Sequence, residues 1–116
     1  MANDIKSLVS VESFKNRPCT RPSSDPGFVY PTPEEVRELR AVLGFSQVDL
    51  GLLANLSVNQ DGCGTVRKWE SSRDKKAHKE ISYGVWRLML YAAGLASVDD
   101  DLNSVKSAKA KIFNPS

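Results

Sequence analysis

Apolar residues recur at helical spacing through most of the middle of this chain. The first such segment opens with Thr32, which can cap a helix, followed by Pro33 at the first helical position and Glu35 three residues after the cap. These residue types at this spacing are typical of a capping box with proline at its first position. Gly44 closes the segment, so the pattern predicts a helix over 33–43.

Two more helices are predicted in the centre of the chain. Ser46 is a cap for a mostly apolar second helix over 47–54. Residues 57–64 are rich in turn formers and include an Asp-Gly pair. Helical spacing then resumes in a third predicted helix over roughly 63–71.

The last part of the chain predicts one strong helix and one weak helix. Ser82 is a plausible cap, Gly94 a plausible C-terminal stop, and the residues between them form an apolar face over 83–93. Beyond this helix, three aspartates precede three lysines, which suits a helix dipole. A weak final helix is therefore expected over 99–111.

These elements predict an all-α fold with a compact domain of four to five helices, and no sheet, over 32–95. A proline-containing arm over 1–31 and a tail over 96–116 flank this domain. The arm is expected to be disordered, to pack on a partner subunit or second protein, or to reach DNA. No internal repeat is evident. The residues expected to be buried are Leu39, Leu43, Leu50, Leu53, Val66, Trp69, Trp86 and Leu90.

Charge is informative through its distribution, because the net charge of the chain is only +2. Residues 65–79 hold six basic and two acidic side chains, which leaves a local net charge of +4 over fifteen residues. Such a cluster is the electrostatic signature expected of a surface that binds nucleic acid. Its basic members are Arg67, Lys68, Arg73, Lys75, Lys76 and Lys79.

The composition argues against several other classes of protein. Cys19 and Cys63 form no CxxC pair, and with His78 as the one histidine no metal site, cofactor or catalytic triad is expected. Two reduced thiols in a cytoplasmic protein are the expectation. No apolar run approaches the ~20 residues of a membrane span, and the first residues lack the apolar core of a secretory signal.

Two short helices separated by a turn and followed by a basic loop are typical of a helix-turn-helix. The major groove of B-DNA admits one helix, so the second of the two must present polar side chains outward. Val66 and Trp69 are expected to hold the helix over 63–71 by its inner face. The side chains expected to face DNA are Thr65, Arg67 and Lys68.

The same residues resemble a known family. Phe45-Ser46-Gln47-Val48-Asp49-Leu50, then Leu53, then Thr65-Val66-Arg67-Lys68-Trp69-Glu70 are similar to the lambda-repressor-like, XRE-type regulators. The similarity covers about residues 34–95 and implies a five-helix fold, dimers and inverted-repeat sites. It also implies that Gln47 contacts phosphate or supports base contacts, and that Thr65, Arg67 and Lys68 lie near DNA.

The sequence departs from the family at residues 58–62, which look like an insertion before the third helix. The insertion either lengthens the turn or brings Asn59 and Gln60 to base edges. The second option is chemically reasonable because the amide of an asparagine or glutamine can make two hydrogen bonds to one adenine. The basic loop has two interpretations as well. Its members Arg73, Lys75, Lys76 and Lys79 either follow DNA phosphates or form a solvated surface.

The leading hypothesis is a sequence-specific transcription regulator, with repression as its expected effect, that binds double-stranded DNA as a homodimer. A DNA-binding accessory protein of a mobile element, with a plasmid-segregation, conjugation or antitoxin role, is the alternative. An interaction module without DNA binding is a third hypothesis, and an enzyme is not expected. The aromatic residues proposed as dimer anchors are Phe14, Phe28, Tyr30 and Phe113.

Overall fold

The computed structural model describes residues 11–114, and over this range the chain forms α-helices and no strand. The α-helices are α1 (Pro33–Val42), α2 (Gln47–Leu53), α3 (Gly64–Glu70), α4 (Tyr83–Ala92) and α5 (Val98–Phe113), and a 3-10 turn spans Pro18–Thr20. The predicted all-helical class is confirmed for the described range. The helix expected over 99–111 is longer than predicted.

Local sequence signals account for most helix ends. Capping boxes with reciprocal side-chain hydrogen bonds begin α1 at Thr32, α2 at Ser46 and α5 at Ser97. Ser82 occupies the N-cap position of α4, but its side chain makes no capping hydrogen bond. After α1 and α4 the chain turns through Gly44 and Gly94 at φ of 71° and 73°, a left-handed conformation that glycine adopts without strain.

The core lies between α1, α3 and α4, because α3 packs on α1 and α2, and α4 packs on α1. Most of the residues predicted to be buried belong to it or pack against it. Leu53 is an error in that prediction, since it lies on the outer side of α2 and is 41% exposed. The buried core comprises Phe14, Cys19, Val36, Leu39, Leu50, Cys63, Val66, Trp69, Ile81, Trp86, Met89 and Leu90.

Residues 11–31 pack against α4, which corrects the expectation of a disordered or partner-packing arm for this part of the chain. Phe14 is fully buried. The indole Nε1 of Trp86 donates to the carbonyl of Cys19 at 2.8 Å, and Arg87 Nη1 donates to the carbonyl of Thr20 at 2.8 Å. The rest of the predicted arm, residues 1–10, lies outside the described residues.

The proposed aromatic anchors also need correction. Phe14 is inside the core, and Phe28 lies against the rings of Tyr30 and Tyr83 at centroid distances of 5.9 and 5.8 Å. The Tyr30 hydroxyl donates to the carbonyl of Ile81. These side chains are thus engaged within the chain, whereas Phe113 is exposed.

The backbone repeats itself at an offset of fifty residues, although the sequence shows no repeat. The hydrogen bond from Val29 N to Pro18 O has its counterpart from Lys79 N to Lys68 O. Three more backbone N–H to C=O hydrogen bonds recur at the same offset. The bond from Asp25 to Pro22 matches that from Lys75 to Ser72, the bond from Phe28 to Asp25 matches that from His78 to Lys75, and the bond from Phe45 to Arg40 matches that from Leu95 to Leu90. Few residues agree between the segments, so only the backbone reveals the similarity of the two turn-and-helix units.

No helix within the described range is both long and apolar enough to cross a membrane.

Phe14→Ala should destabilise the protein by about 3–5 kcal/mol, because it empties a fully buried aromatic site. Val29→Ala is the matched control, since Val29 lies in the same segment but is 59% exposed, and it should change stability by less than about 0.5 kcal/mol. Urea denaturation followed by tryptophan fluorescence measures both values. Equal stabilities for the two variants would contradict the packing of residues 11–31.

Stability should fall at alkaline pH because of the Cys19 thiol. Burial, followed by the charge of Glu35 and a hydrogen bond to it, raises the pKa of Cys19 from 9.0 to about 12. The native state therefore keeps a proton that the unfolded chain loses above pH 9, so stability is complete below pH 9 and is lost between pH 9 and about 12.

Urea denaturation at about pH 7.5 and about pH 10.5, on either side of the thiol pKa of the unfolded chain, tests this expectation. Cys19→Ala should lose less stability between the two conditions than the wild type. Burial raises the pKa of Tyr30 as well, so Tyr30→Phe measures the second contribution separately. A Cys19→Ala protein with the full alkaline loss would show that another group is responsible.

Candidate nucleic-acid interface

The short helix α3 is anchored along its inner face. Val66 is fully buried and Trp69 is 5% exposed, as the sequence predicts. Both belong to the core cluster, and α3 packs on α1 and α2. Since a helix of seven residues is not stable alone in water, these contacts are what maintain it.

The end of α3 is held by an ion pair. Glu70 accepts hydrogen bonds from Arg40 Nε at 2.6 Å and from Arg40 Nη2 at 2.9 Å. The exposed fractions of these side chains are 6% for Glu70 and 17% for Arg40. Gln47 Nε2 also donates to Glu70 Oε1 at 3.3 Å. One carboxylate therefore joins the end of α3 to the last turn of α1 and to the start of α2.

Residues 58–62 form a tight turn. Asn59 and Gly62 exchange backbone hydrogen bonds of 3.0 and 3.1 Å, and Asn59 Oδ1 accepts from Asp61 N at 2.8 Å. Gly62 has φ of 138°, which disfavours any residue with a side chain. The amide oxygen of Asn59 is thus engaged within the turn.

This turn packs closely on α2 through Gly51. A Cβ atom at Gly51 would lie 2.5 Å from Val58 Cγ1 and 2.9 Å from Cys63 Sγ. Cys63 is fully buried and occupies the N-cap position of α3, which begins at Gly64. The absence of a side chain at Gly51 therefore allows the turn and Cys63 to approach α2 closely.

The outer face of α3 carries free cations. Arg67 and Lys68 are exposed, and neither has an ion-pair partner among residues 11–114, whereas Thr65 is half-buried. Around Gly62, the side chains of Gln47 and Arg67 converge: Gln47 Oε1 lies 3.6 Å and the Arg67 guanidinium carbon 4.0 Å from the position of a Cβ atom there. Gln60 is exposed in the adjoining turn.

The basic loop folds back toward α3, because Lys79 N donates to the carbonyl of Lys68 at 3.2 Å. Lys75, Lys76 and Lys79 are exposed, and no ion-pair partner for them occurs in the described part of the chain. Arg73 differs from the other predicted site residues. Its guanidinium donates to the carbonyl of Pro31 at 2.8 Å and to Glu80 at 3.0 Å.

The partner of Glu70 is Arg40, thirty residues earlier in the chain, and no local sequence pattern identifies this pair. Arg40 lies in the last turn of a predicted helix, but several other basic residues of the sequence could equally have paired with Glu70.

Comparisons with known proteins provide no assignment: no family model, no curated protein and no solved structure gives a significant match to this chain.

Glu70→Gln should destabilise the protein by about 3 kcal/mol, because it leaves the partly buried Arg40 guanidinium without a counter-charge. Glu80→Gln is the matched control. Glu80 pairs with Arg73, but its side chain is 44% exposed, and loss of such a surface pair costs less than about 1 kcal/mol. The free energy of unfolding from urea titration should separate the two variants, and a Glu70→Gln protein as stable as Glu80→Gln would exclude the anchoring role.

Proposed function

We propose that this chain is a sequence-specific transcription regulator that binds double-stranded DNA with α3 in the major groove. The observation that carries the proposal is a contrast within one element. The inner face of α3 is anchored by Val66, Trp69 and Glu70, whereas the two cations of its outer face and the three lysines of the following loop have no ion-pair partners in the described range. Unpaired cations on a rigid support suit the phosphate backbone of DNA.

The order of the elements supports a helix-turn-helix of the lambda-repressor-like type. In this assignment α2 lies across the groove and α3 enters it, since the groove admits one helix. Gln47 at the start of α2 and Trp69-Glu70 at the end of α3 are at the positions that the family pattern requires. The hydrogen bond between Gln47 and Glu70 supports the assignment, because it links those two parts of the pattern.

Discrimination between DNA sequences is assigned to the segment from Asn59 to Lys68. Arg67 is the candidate for a base contact, since its guanidinium can bind O6 and N7 of guanine together. Lys68 is the candidate for a phosphate contact. Gln60 and Thr65 are further candidates at base edges, whereas the amide oxygen of Asn59 is already bonded within its turn.

The loop that follows α3 is assigned to the phosphate backbone through Lys75, Lys76 and Lys79. Arg73 is assigned to the architecture of the loop, since Pro31 and Glu80 already hold its guanidinium. A homodimer would place two such surfaces on half-sites of an inverted repeat, about one helical turn apart. Each protomer would then contribute one α3.

Selection of bound sites from a random DNA pool tests the proposal directly and should return an inverted repeat. On the selected site, replacing Lys75, Lys76 and Lys79 by alanine should weaken binding to all sequences about equally. It should also flatten the dependence of log affinity on log salt by about 0.9 for each phosphate that is no longer neutralised. Arg67→Ala should instead cost about 1–3 kcal/mol and relax the preference at one base pair.

The matched control removes three cations elsewhere, with Lys15, Arg21 and the exposed Lys111 replaced by alanine. Lys15 and Arg21 already have carboxylate partners, so this variant should keep the salt dependence of the wild type. A pool without enriched sites would reject sequence-specific binding. Equal salt effects in the two triple variants would reject the assignment of the loop to phosphates.

A further inference from the structure

The longest helix, α5, has its aliphatic side chains on the outside. Asp101, Ser104 and Ala108 are its half-buried residues, and two of these are polar. Asp101 pairs with Arg87 at 2.6 Å, and the hydroxyls of Ser104 and Ser24 lie 2.6 Å apart. α5 is therefore attached to its own domain through polar groups.

An exposed row of aliphatic residues, here named the α5 stripe, runs beside that attached face. It consists of Val98, Leu102, Val105 and Ile112, which are 56%, 54%, 56% and 73% exposed. Their spacing of four, three and seven residues places them in a single row along the helix, with Lys109 in the intervening position. Such a row costs free energy in water and is typical of a helix that packs on another helix.

The charges of α5 identify the partner as a second copy of the same helix. Its first half carries Asp99, Asp100 and Asp101, and its second half carries Lys106, Lys109 and Lys111. Two copies in parallel would bring like charges together, whereas two antiparallel copies place each acidic half against a basic half. The helix dipoles are also opposed in the antiparallel arrangement.

One pair of charges is free to make this contact. Asp99 and Lys106 are exposed, and neither has an ion-pair partner among residues 11–114. They are seven residues apart and so lie on the same side of the α5 stripe. When two stripes meet in antiparallel orientation, Asp99 of one copy approaches Lys106 of the other, and the two-fold axis repeats the pair.

We propose that the protein forms a homodimer through antiparallel packing of the α5 stripes of two copies, with Asp99 of each copy facing Lys106 of the other. This inference specifies the homodimer of the proposed function and rests on that function for its purpose. Its physical basis, the exposed stripe and the opposed charges, does not involve DNA.

Cross-linking of the full chain without DNA tests the orientation. In the proposed register, Val98 of one copy lies beside Lys109 of the other. The variants Val98→Cys and Lys109→Cys are therefore prepared separately. Each variant alone, and a mixture of the two, is then treated with a short bismaleimide. Cys19 and Cys63 are buried, and the wild type is the control for background reaction. The mixture should give a cross-linked dimer.

Each variant alone should give little cross-linked dimer. In the antiparallel pair, the two copies of residue 98, and likewise the two copies of residue 109, are at least about 13 Å apart along the helix axes, at roughly 1.5 Å per residue. Two parallel stripes would instead place identical positions side by side. Efficient cross-linking of Val98→Cys with itself would therefore overturn the proposal.

Charge reversal tests the recognition. In sedimentation equilibrium, Asp99→Lys alone and Lys106→Asp alone should each weaken the dimer at least about tenfold, and an equimolar mixture of the two should recover it. If mixing restores the dimer, the single variants were weakened by the loss of charge complementarity and not by damage to the fold of α5. A wild type that stays monomeric at all concentrations would also overturn the proposal, and that outcome leaves DNA binding by each protomer untouched.

Discussion

The carboxylate of Glu70 and the guanidinium of Arg40 form the interaction on which the position of α3 depends. Both groups are largely removed from water, so each needs the other to offset the loss of hydration. Their double hydrogen bond fixes distance and orientation together, which a single contact does not. Because α3 has only seven residues, its direction is set by this pair and by the burial of Val66 and Trp69 rather than by its own helical stability.

The helix α4 has a comparable role for the two ends of the described chain. Trp86 binds the carbonyl of Cys19, and the adjacent Arg87 binds the carbonyl of Thr20 while pairing with Asp101 of α5. Two neighbouring side chains therefore attach both the N-terminal segment and the last helix. Arg87 is 3% exposed; the charge of Asp101 and the carbonyl of Thr20 offset part of the cost of burying its guanidinium, although its Nε makes no hydrogen bond.

The repeated backbone makes the distribution of charge informative. Arg17 lies in extended backbone just before the first turn-and-helix unit, and Arg67 lies in α3 just before the second. Arg17 pairs with Glu35 and Glu38, whereas Arg67 has no ion-pair partner in the described part of the chain. The surface before the first unit is therefore neutralised within the chain, whereas the surface before the second unit keeps an unpaired guanidinium. This difference supports the choice of α3 and its loop as the proposed DNA-binding surface.

The sequence by itself determined the elements whose causes are local. Capping residues such as Thr32 and Ser46, and glycines such as Gly44, act within one turn of the helix ends that they define, so helix positions could be predicted. The positive charge of residues 65–79 could also be read from the sequence, because it depends only on residues that are close together in the chain. Only the tertiary structure decided which cations stay unpaired, that Glu70 binds Arg40, and that Phe14 enters the core. These outcomes depend on contacts between residues far apart in the chain, where many alternative partners have the same chemistry and only the packed geometry selects one.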